Sequence, residues 1–427
     1  MALLSGGRFP SLQHRNFRLL WTGQIVSNMG TWMQNIGTGW LVLQLTDSPL
    51  WLGLLGLSFA LPMIVLPPIG GAVVDRVDRI RLLQITQSGQ MLNAFVLALT
   101  TFLGIATVWH VLAASFIGAS LLAFDNPARN SLIPGVVPPR DLMNALSLNG
   151  AIYSGAALVG PALAGVLLAP LGVAALFFIN GLSFIAMLTA LQRMTGVTRH
   201  SSTARGAIGA SLRGGLSYSW HNRPLRALLL LFAITAILGR SYVGLLPIFA
   251  RDLWHGGPRG YGLLLSASGG GALVGAFGLA FLKELPHRER VLVVSGLVFA
   301  SSLMFFALSP NIVAGALMLF LAGAAATVFS TLIATIIQVA TPDELRGRVM
   351  SLNTVCLIGL PSLGALTSGS VAELLGGIVG APRAVLLGAV LMGVVLLLYL
   401  PTVWQRTREK CFVTQGVTVP HNPAFPP

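Results

Sequence analysis

Five polar residues interrupt an otherwise apolar run near the amino terminus: Gln24, Asn28, Thr31, Asn35 and Thr38. They recur three or four positions apart, which puts all five on one face of a helix. Amides and hydroxyls on such a stripe either line a water-filled cavity or hydrogen-bond to neighbouring helices. Trp32 and Trp40 lie near the stripe and also suit a membrane interface. Arg240 is isolated in a second apolar run, roughly 16 Å from Arg251 at about 1.5 Å of helix per residue. A guanidinium does not titrate usefully, so Arg240 either anchors an anionic or substrate group or forms an ion pair, for which Asp125 is the candidate. Groups able to carry a proton are few. Asp125 is the leading candidate, with Glu373 and the loop residue Asp75 beside it, and all seven histidines read as loop or boundary residues.

The elements that hold these residues follow from composition. The chain of 427 residues is 55% hydrophobic and 9% charged, with a mean hydropathy of +0.81, and that much apolar surface needs lipid. Crossing the hydrocarbon takes about 20 apolar residues. Such runs occur at 17–45, 51–73, 80–106, 108–128, 142–169 and 172–192, and again at 225–249, 261–282, 291–308, 312–339, 347–377 and 380–404. The expectation is an all-α membrane protein of twelve transmembrane helices in two pseudo-symmetric six-helix bundles. Residues 1–192 and 225–404 are the bundles, 193–224 a linker and 405–427 a tail. In the linker, Leu212, Leu216 and Trp220 among arginines fit an interfacial helix, and a disordered basic tether fits equally.

The net charge of +14 is distributed by topology. All but four of the 26 basic residues fall at one set of loops and termini, the exceptions being Arg240, Arg251, Arg259 and Arg383. By the positive-inside rule both termini lie in the cytoplasm and the chain sits multi-pass in a cell (inner) membrane. The basic balance therefore does not mark a nucleic-acid partner. Arg8, Arg15 and Arg18 lead into a full-length first helix, not a cleaved signal. Cys356, in an apolar run, and Cys411, in the tail, are not placed to form a disulfide.

Several chemistries lack their residues. Neither Lys283 nor Lys410 sits in a phosphate-binding GxxxxGK[ST] pattern, and no span carries a metal-ligand cluster or a nucleophile with a base. No enzyme, metal or cofactor is expected. The two halves do share a pattern. Val137–Asn149 and Thr341–Asn353 both carry a proline and an SLN triplet at one separation, and Gly160 and Gly165 recur as Gly364 and Gly369 at the same offset. Parallel repeats of this kind belong to two-bundle transporters.

The stretch GAVVDRVDRIR resembles GxxxDRxGRR, the signature loop of the major facilitator superfamily. Gly71, Asp75, Arg76 and Arg79 match, Asp78 replaces the second glycine, Ile80 replaces a basic residue, and Arg81 follows one place on. A carboxylate among guanidiniums can clasp neighbouring helices, so the motif reads as a conformational switch in which Asp75 latches the outward-open state. AALVGPALAG, with Gly160, Pro161 and Gly165, resembles the exporter motif GxxxGPxxGG. FDNPARNSLIPGVVP, LRGGLSYSWHNRPLRALLL and TPDELRGRVMSL, the last holding Arg346, Gly347 and Arg348, resemble drug and siderophore exporters related to the enterobactin exporter.

The resemblance implies proton-linked efflux of a small molecule by alternating access, with a central site between the halves and a monomeric unit. It departs from the family in the fourth span, where His110, Ser115 and Phe116 stand in the stretch that holds a membrane-embedded arginine in many relatives. An importer on the same scaffold, or a non-transporting interaction protein or lipid flippase, are the alternatives.

Overall fold

A computed structural model describes residues 9–74, 76–195, 217–281 and 288–413. Among them there are helices and no strands, as a lipid environment requires of a chain that must satisfy its backbone groups internally. The first half runs through α1 (Arg15–Thr46), α2 (Pro49–Val65), α3 (Pro67–Val74), α4 (Arg79–Phe102), α5 (Val108–Leu132) and α6 (Leu142–Gln192). The second comprises α7 (Arg223–Gly239), α8 (Tyr242–Ile248), α9 (Gly257–Phe281), α10 (Arg288–Ala307), α11 (Ile312–Ala340), α12 (Asp343–Thr354), α13 (Leu360–Leu374) and α14 (Ala381–Val413).

Local chemistry sets the helix ends. Asp47, in the left-handed region at φ 48°, closes α1, and Pro49 opens α2 two residues later. Pro67 ends the next rod and starts α3. The Asp78 carboxylate caps α4 by accepting from the backbone N–H groups of Ile80 and Arg81. Gly172, at φ 76°, is non-helical inside α6 and splits it into two rods, as the sequence expects between 169 and 172.

Among the described residues, eight segments are long and apolar enough to cross a membrane. Neither α1 nor α4 is among them, because each carries a row of amides and hydroxyls. In α1 this is the stripe already described, and in α4 it is Gln84, Gln87, Gln90 and Asn93. Those rows are turned inward. Asn93 Nδ2 donates to the Ala114 carbonyl (2.9 Å) and Gln90 Nε2 to that of Gly118 (3.2 Å), tying α4 to α5. Of the linker, Leu212 and Leu216 lie outside the described residues, while Trp220 is exposed in a short helical segment at 217–221 with the Arg226 guanidinium 5.6 Å from its ring centre.

Helices before Gln192 pack mainly on one another, α6 against α1 and α4, and α5 against α4 and α2. Those after Arg223 do likewise, with α11 between α9 and α10 and with α14 against α7 and α10. Two crossings join the sets: α6 on α9 and α2 on α13. Both are built on glycine. A Cβ on Gly165 would stand 2.8 Å from the Pro258 carbonyl oxygen and 3.0 Å from Gly262 Cα. One on Gly369 would stand 2.5 Å from the Pro49 carbonyl oxygen and 3.1 Å from Gly53 Cα. The repeated glycines therefore do one job twice, each meeting a Pro-x-x-x-Gly segment of the opposite half at backbone contact.

Replacing Gly165 or Gly369 by Val is expected to force a crossing apart. Overpacking of this kind costs about 1–3 kcal/mol, and the midpoint of thermal unfolding of the purified protein should fall for each. Gly150→Ala, at a position where a Cβ meets nothing within 4 Å, is the matched control and should leave the midpoint in place.

Candidate functional site

The α1 stripe opens into a cavity among the first-half helices. Asn28, Thr31, Asn35 and Thr38 line it from α1, opposite Gln87 and Gln90 of α4. Gln34 also takes part, its Oε1 accepting from Asn180 Nδ2 of α6 at 2.6 Å. Thr31 and Thr38 return their hydroxyl protons to backbone carbonyls one turn earlier, leaving oxygen lone pairs as their free function. Two lining amides keep a buried atom without a partner, Asn28 Nδ2 and Gln87 Oε1. One offers a donor and the other an acceptor, which suits a neutral polar group or bound water. Gln24, expected on this wall, is instead buried at 1% exposure outside the cavity lining, with Nε2 unpartnered.

At one end of the cavity sits a buried charge pair. Asp125 is 1% exposed, and its Oδ1 accepts from Thr86 Oγ1 (3.0 Å) and Gln87 Nε2 (2.7 Å). Its Oδ2 accepts from both Nε (3.1 Å) and Nη2 of Arg129, one helical turn on and 5% exposed. Carboxylate and guanidinium thus neutralise each other in a two-pronged contact where either alone would be costly. This corrects the sequence reading twice. Arg129 is not a charge of the loop after the fourth span but lies buried in the last turn of α5, while the stretch of His110, Ser115 and Phe116 holds no arginine, as expected. The ion pair proposed between Asp125 and Arg240 is absent, because Asp125 is already taken.

Pro127 lies in the same helix and has no N–H to give to the Ala123 carbonyl. Gly70 of α3 packs there, close enough that its Cβ would come within 2.5 Å of that oxygen. The bare backbone on α3 thereby brings the loop motif up to the charged end of the cavity. Of the motif, Gly71 ends up in α3, Arg76 and Arg81 are exposed, and Arg79 donates from Nη1 to the Ser131 carbonyl (2.9 Å) with its Nε buried and unpartnered. Asp75 lies outside the described residues. In the second half Arg346 donates from Nε to the Gln338 carbonyl (3.2 Å), fastening α12 to the end of α11. Gly347 and Arg348 lie on α12, their side chains outside the described set.

Gly160 and Pro161 face the first half's own core and the crossing. A Cβ on Gly160 would meet Trp32 Cβ at 2.5 Å, and the Pro161 carbonyl lies 2.5 Å from where Gly262 would carry its Cβ. Trp32 is therefore a packing residue on α1. Trp40 is buried against Tyr261 of α9, ring centres 6.3 Å apart and nearly parallel.

Where α1 turns into α2, charges join the two halves. Arg251 donates from Nη2 to Asp47 Oδ1 (2.5 Å) and from Nη1 to the Leu43 carbonyl (3.1 Å), while Nε holds Asp252 (2.9 Å). Glu373, exposed at the end of α13, accepts from Ser48 Oγ (2.8 Å) and the Leu50 N–H (3.3 Å). Its place is a surface bridge, not a buried carrier. Arg240 lies elsewhere, exposed at the end of α7 on a small second cavity lined by residues of the second half.

The residues missed by sequence reading are Arg129, Gln87, Gln90 and Asn180. Gln87, Gln90 and Asn93 carried a legible signal, amides three positions apart in an apolar run, whereas Arg129 is indistinguishable from a loop charge without knowing where α5 ends. The pair itself makes a stability prediction. Arg129→Ala leaves Asp125 buried without its counter-ion, and such single truncations cost about 3–5 kcal/mol. Thermal unfolding should show a larger loss for Arg129→Ala than for the double variant Asp125→Asn with Arg129→Met.

Comparison with known proteins gives this arrangement its lineage. The family model described as transmembrane secretion effector matches residues 6–413. An uncharacterized transporter of the major facilitator type, YfiS of Bacillus subtilis, is 26% identical over 58% of this chain, and the match spans 62% of that relative's length. The staphyloferrin A transporter of Staphylococcus aureus is 25% identical over 65% of this chain and 68% of its own. Macrolide efflux protein A of Streptococcus pyogenes is 26% identical over 84% and 90% respectively. Among solved structures, a bacterial homologue of the human lysosomal transporter Spinster, inward-facing and unoccupied, superposes with a TM-score of 0.74 at 14% identity, covering 93% of this chain and 99% of that one. The fold is shared across that distance, and the family match covers nearly the whole chain: it belongs to the transmembrane secretion effector family of the major facilitator superfamily, and is a membrane transporter rather than an enzyme.

Proposed function

We propose that the chain is a proton-coupled exporter of a drug-like compound or siderophore, working by alternating access between two six-helix bundles as a monomer. The carrying observation is the Asp125–Arg129 pair at the end of a polar cavity. Asp125 is a buried acid beside unpartnered amide groups, and Arg129 is its internal counter-ion. When a proton occupies the carboxylate, the electrostatic hold on Arg129 is lost and the guanidinium must find another acceptor, which couples protonation to rearrangement of the cavity wall.

In this reading twelve spans cross the inner membrane, both termini are cytoplasmic, and the turn at Asp47 and Ser48 is external. The contacts of Arg251 and Glu373 with that turn then hold the outer side closed. Release outward requires both to open, while the glycine crossings allow the halves to rock on bare backbone. The efflux named for macrolide efflux protein A supports the direction, as does the exporter-like helix motif around Gly160 and Pro161.

Transport in sided proteoliposomes with an imposed pH gradient tests direction and coupling together. A macrolide and a siderophore are the first cargoes to supply. The wild type should move substrate against its gradient while protons run the other way, and Asp125→Asn should abolish the acceleration by the pH gradient. Proton-dependent efflux surviving in Asp125→Asn would remove Asp125 from the coupling role, and accumulation in the same direction as proton flow would make the protein an importer.

The bridges can be tested separately. Asp47→Asn combined with Glu373→Gln should raise the reactivity of a cysteine introduced at Asn35 towards an impermeant maleimide added from the outer side. Unchanged labelling would mean that these contacts do not hold the closed state.

A further inference from the structure

The apolar span Arg223–Leu253 is interrupted at a charged residue. Helix α7 stops at Gly239, Arg240 adopts φ −100° and ψ 2°, and α8 begins at Tyr242. An interruption inside a membrane leaves backbone groups that need partners: here the Arg240 carbonyl accepts from the Val243 N–H (3.3 Å), and the Ser241 carbonyl is met from another helix. Ser368 Oγ of α13 donates to the Ser241 carbonyl (3.0 Å), and the Tyr242 hydroxyl and Ser268 Oγ of α9 share a hydrogen bond (2.9 Å). The break is thus a stapled part of the fold. Facing it, the chain between α12 and α13 runs as a π-helix at Val355–Gly359, a distortion that recurs at functional sites.

The second cavity lies between these two irregularities. Arg240 and Thr235 line one wall, Cys356 of the π-helix another, and Phe299, Phe329 and Ser330 the rest. The π-helix also borders the other half, since a Cβ on Gly359 would meet Ile64 of α2 at 2.7 Å. Among the described residues Arg240 has no ion-pair partner. Asp125 is held by Arg129, and Asp47 and Asp252 by Arg251. The first-half cavity, by contrast, contains a neutralised pair and neutral amides. The uncompensated charge facing a cavity is therefore positive, and it stands beside two phenyl rings.

A cation within a membrane span is costly unless it faces water or an anion, and a guanidinium is shaped to take two oxygens of one acid group. We propose that Arg240 is the recognition point for an oxyanion on the transported molecule, a carboxylate or phosphate. This assignment rests on the transporter reading and names the substrate class that the second half selects. Thr235 and Ser330 line the same cavity with their hydroxyl protons already given to backbone carbonyls of their own helices, so the guanidinium is the donor that an oxyanion would meet.

The test is equilibrium binding to the purified full chain in nanodiscs, read by fluorescence polarisation with two dyes on one xanthene skeleton: fluorescein, which carries a carboxylate and is anionic, and rhodamine 123, which is cationic. The wild type should prefer fluorescein. Arg240→Gln should weaken fluorescein binding by about tenfold or more, the scale of a lost charge-assisted hydrogen bond, and leave rhodamine 123 unchanged or tighter. Arg240→Lys, which keeps the charge and loses the fork, should fall between, and it carries the test if the glutamine variant does not fold. No preference in the wild type, unchanged fluorescein affinity in both variants, or equal weakening of both dyes would overturn the proposal. Since no gradient is applied, the outcome is independent of proton coupling and direction. Failure of dye discrimination with intact proton-driven efflux sinks only the substrate class, and the converse sinks only the coupling.

Discussion

A backbone amide or carbonyl in hydrocarbon has no water to turn to, and the architecture follows from that constraint. Regular helix satisfies it without help, which is why the described chain is helical almost throughout. Every departure from regular helix then has to be placed where something else can compensate. The break at Arg240 is met by Ser368 through the Ser241 carbonyl. Gly172, where α6 changes direction, has open space around the position its Cβ would take. Irregular backbone is thereby concentrated at helix crossings, cavity walls and rod ends.

The two kinds of contact between the halves differ in physical character, and that difference suits the alternating-access reading proposed above. At the crossings of α6 with α9 and α2 with α13, glycines allow backbones to touch without side-chain interlock. Dispersion between smooth surfaces changes little as one rod rolls on another. Around the α1–α2 turn, the contacts are charged and directional, with Arg251 on Asp47 and Glu373 on Ser48. Contacts of this type are made or lost within a short displacement and are weakened by water, so they define discrete positions. The electrostatic design inside is complementary: a self-neutralised pair in one half, a cation open to a cavity in the other.

Much of this is legible in the sequence alone. Gln24 to Thr38 announced a helix with one polar face, and four of its five residues line the cavity. The offset repeat of Gly160 and Gly165 pointed to two related halves, and one pair of it, Gly165 and Gly369, proves equivalent at the crossings, whereas Gly160 and Gly364 pack inside their own halves. Resemblance in the loop and in α6 led to the superfamily that the family match shows. Less legible were the residues whose meaning depends on depth. Arg129 and Arg140 look alike as neighbouring charges of one basic stretch, yet one is 5% exposed inside a helix and the other solvent-facing beside Asp141. Glu373 looked like a membrane acid and proved to be a surface acceptor.

The sequence alone determined what depends on residue type and local spacing: the helical and membrane-embedded class, the faces on which amides lie, the glycines able to pack closely, and the family. These are properties of a segment and its solvent, and short-range periodicity encodes them. Only the tertiary structure decided which charge answers which. Asp125 could have faced Arg240 as readily as Arg129 on paper, and Gln24 could have lined the cavity beside Asn28. Pairing in a low-dielectric interior is set by a few ångströms between side chains on different rods, or by one helical turn within a rod whose end is not marked in the sequence. Those distances arise from packing of the whole molecule, and they leave Asp125 neutralised by its own helix and Arg240 open to a cavity.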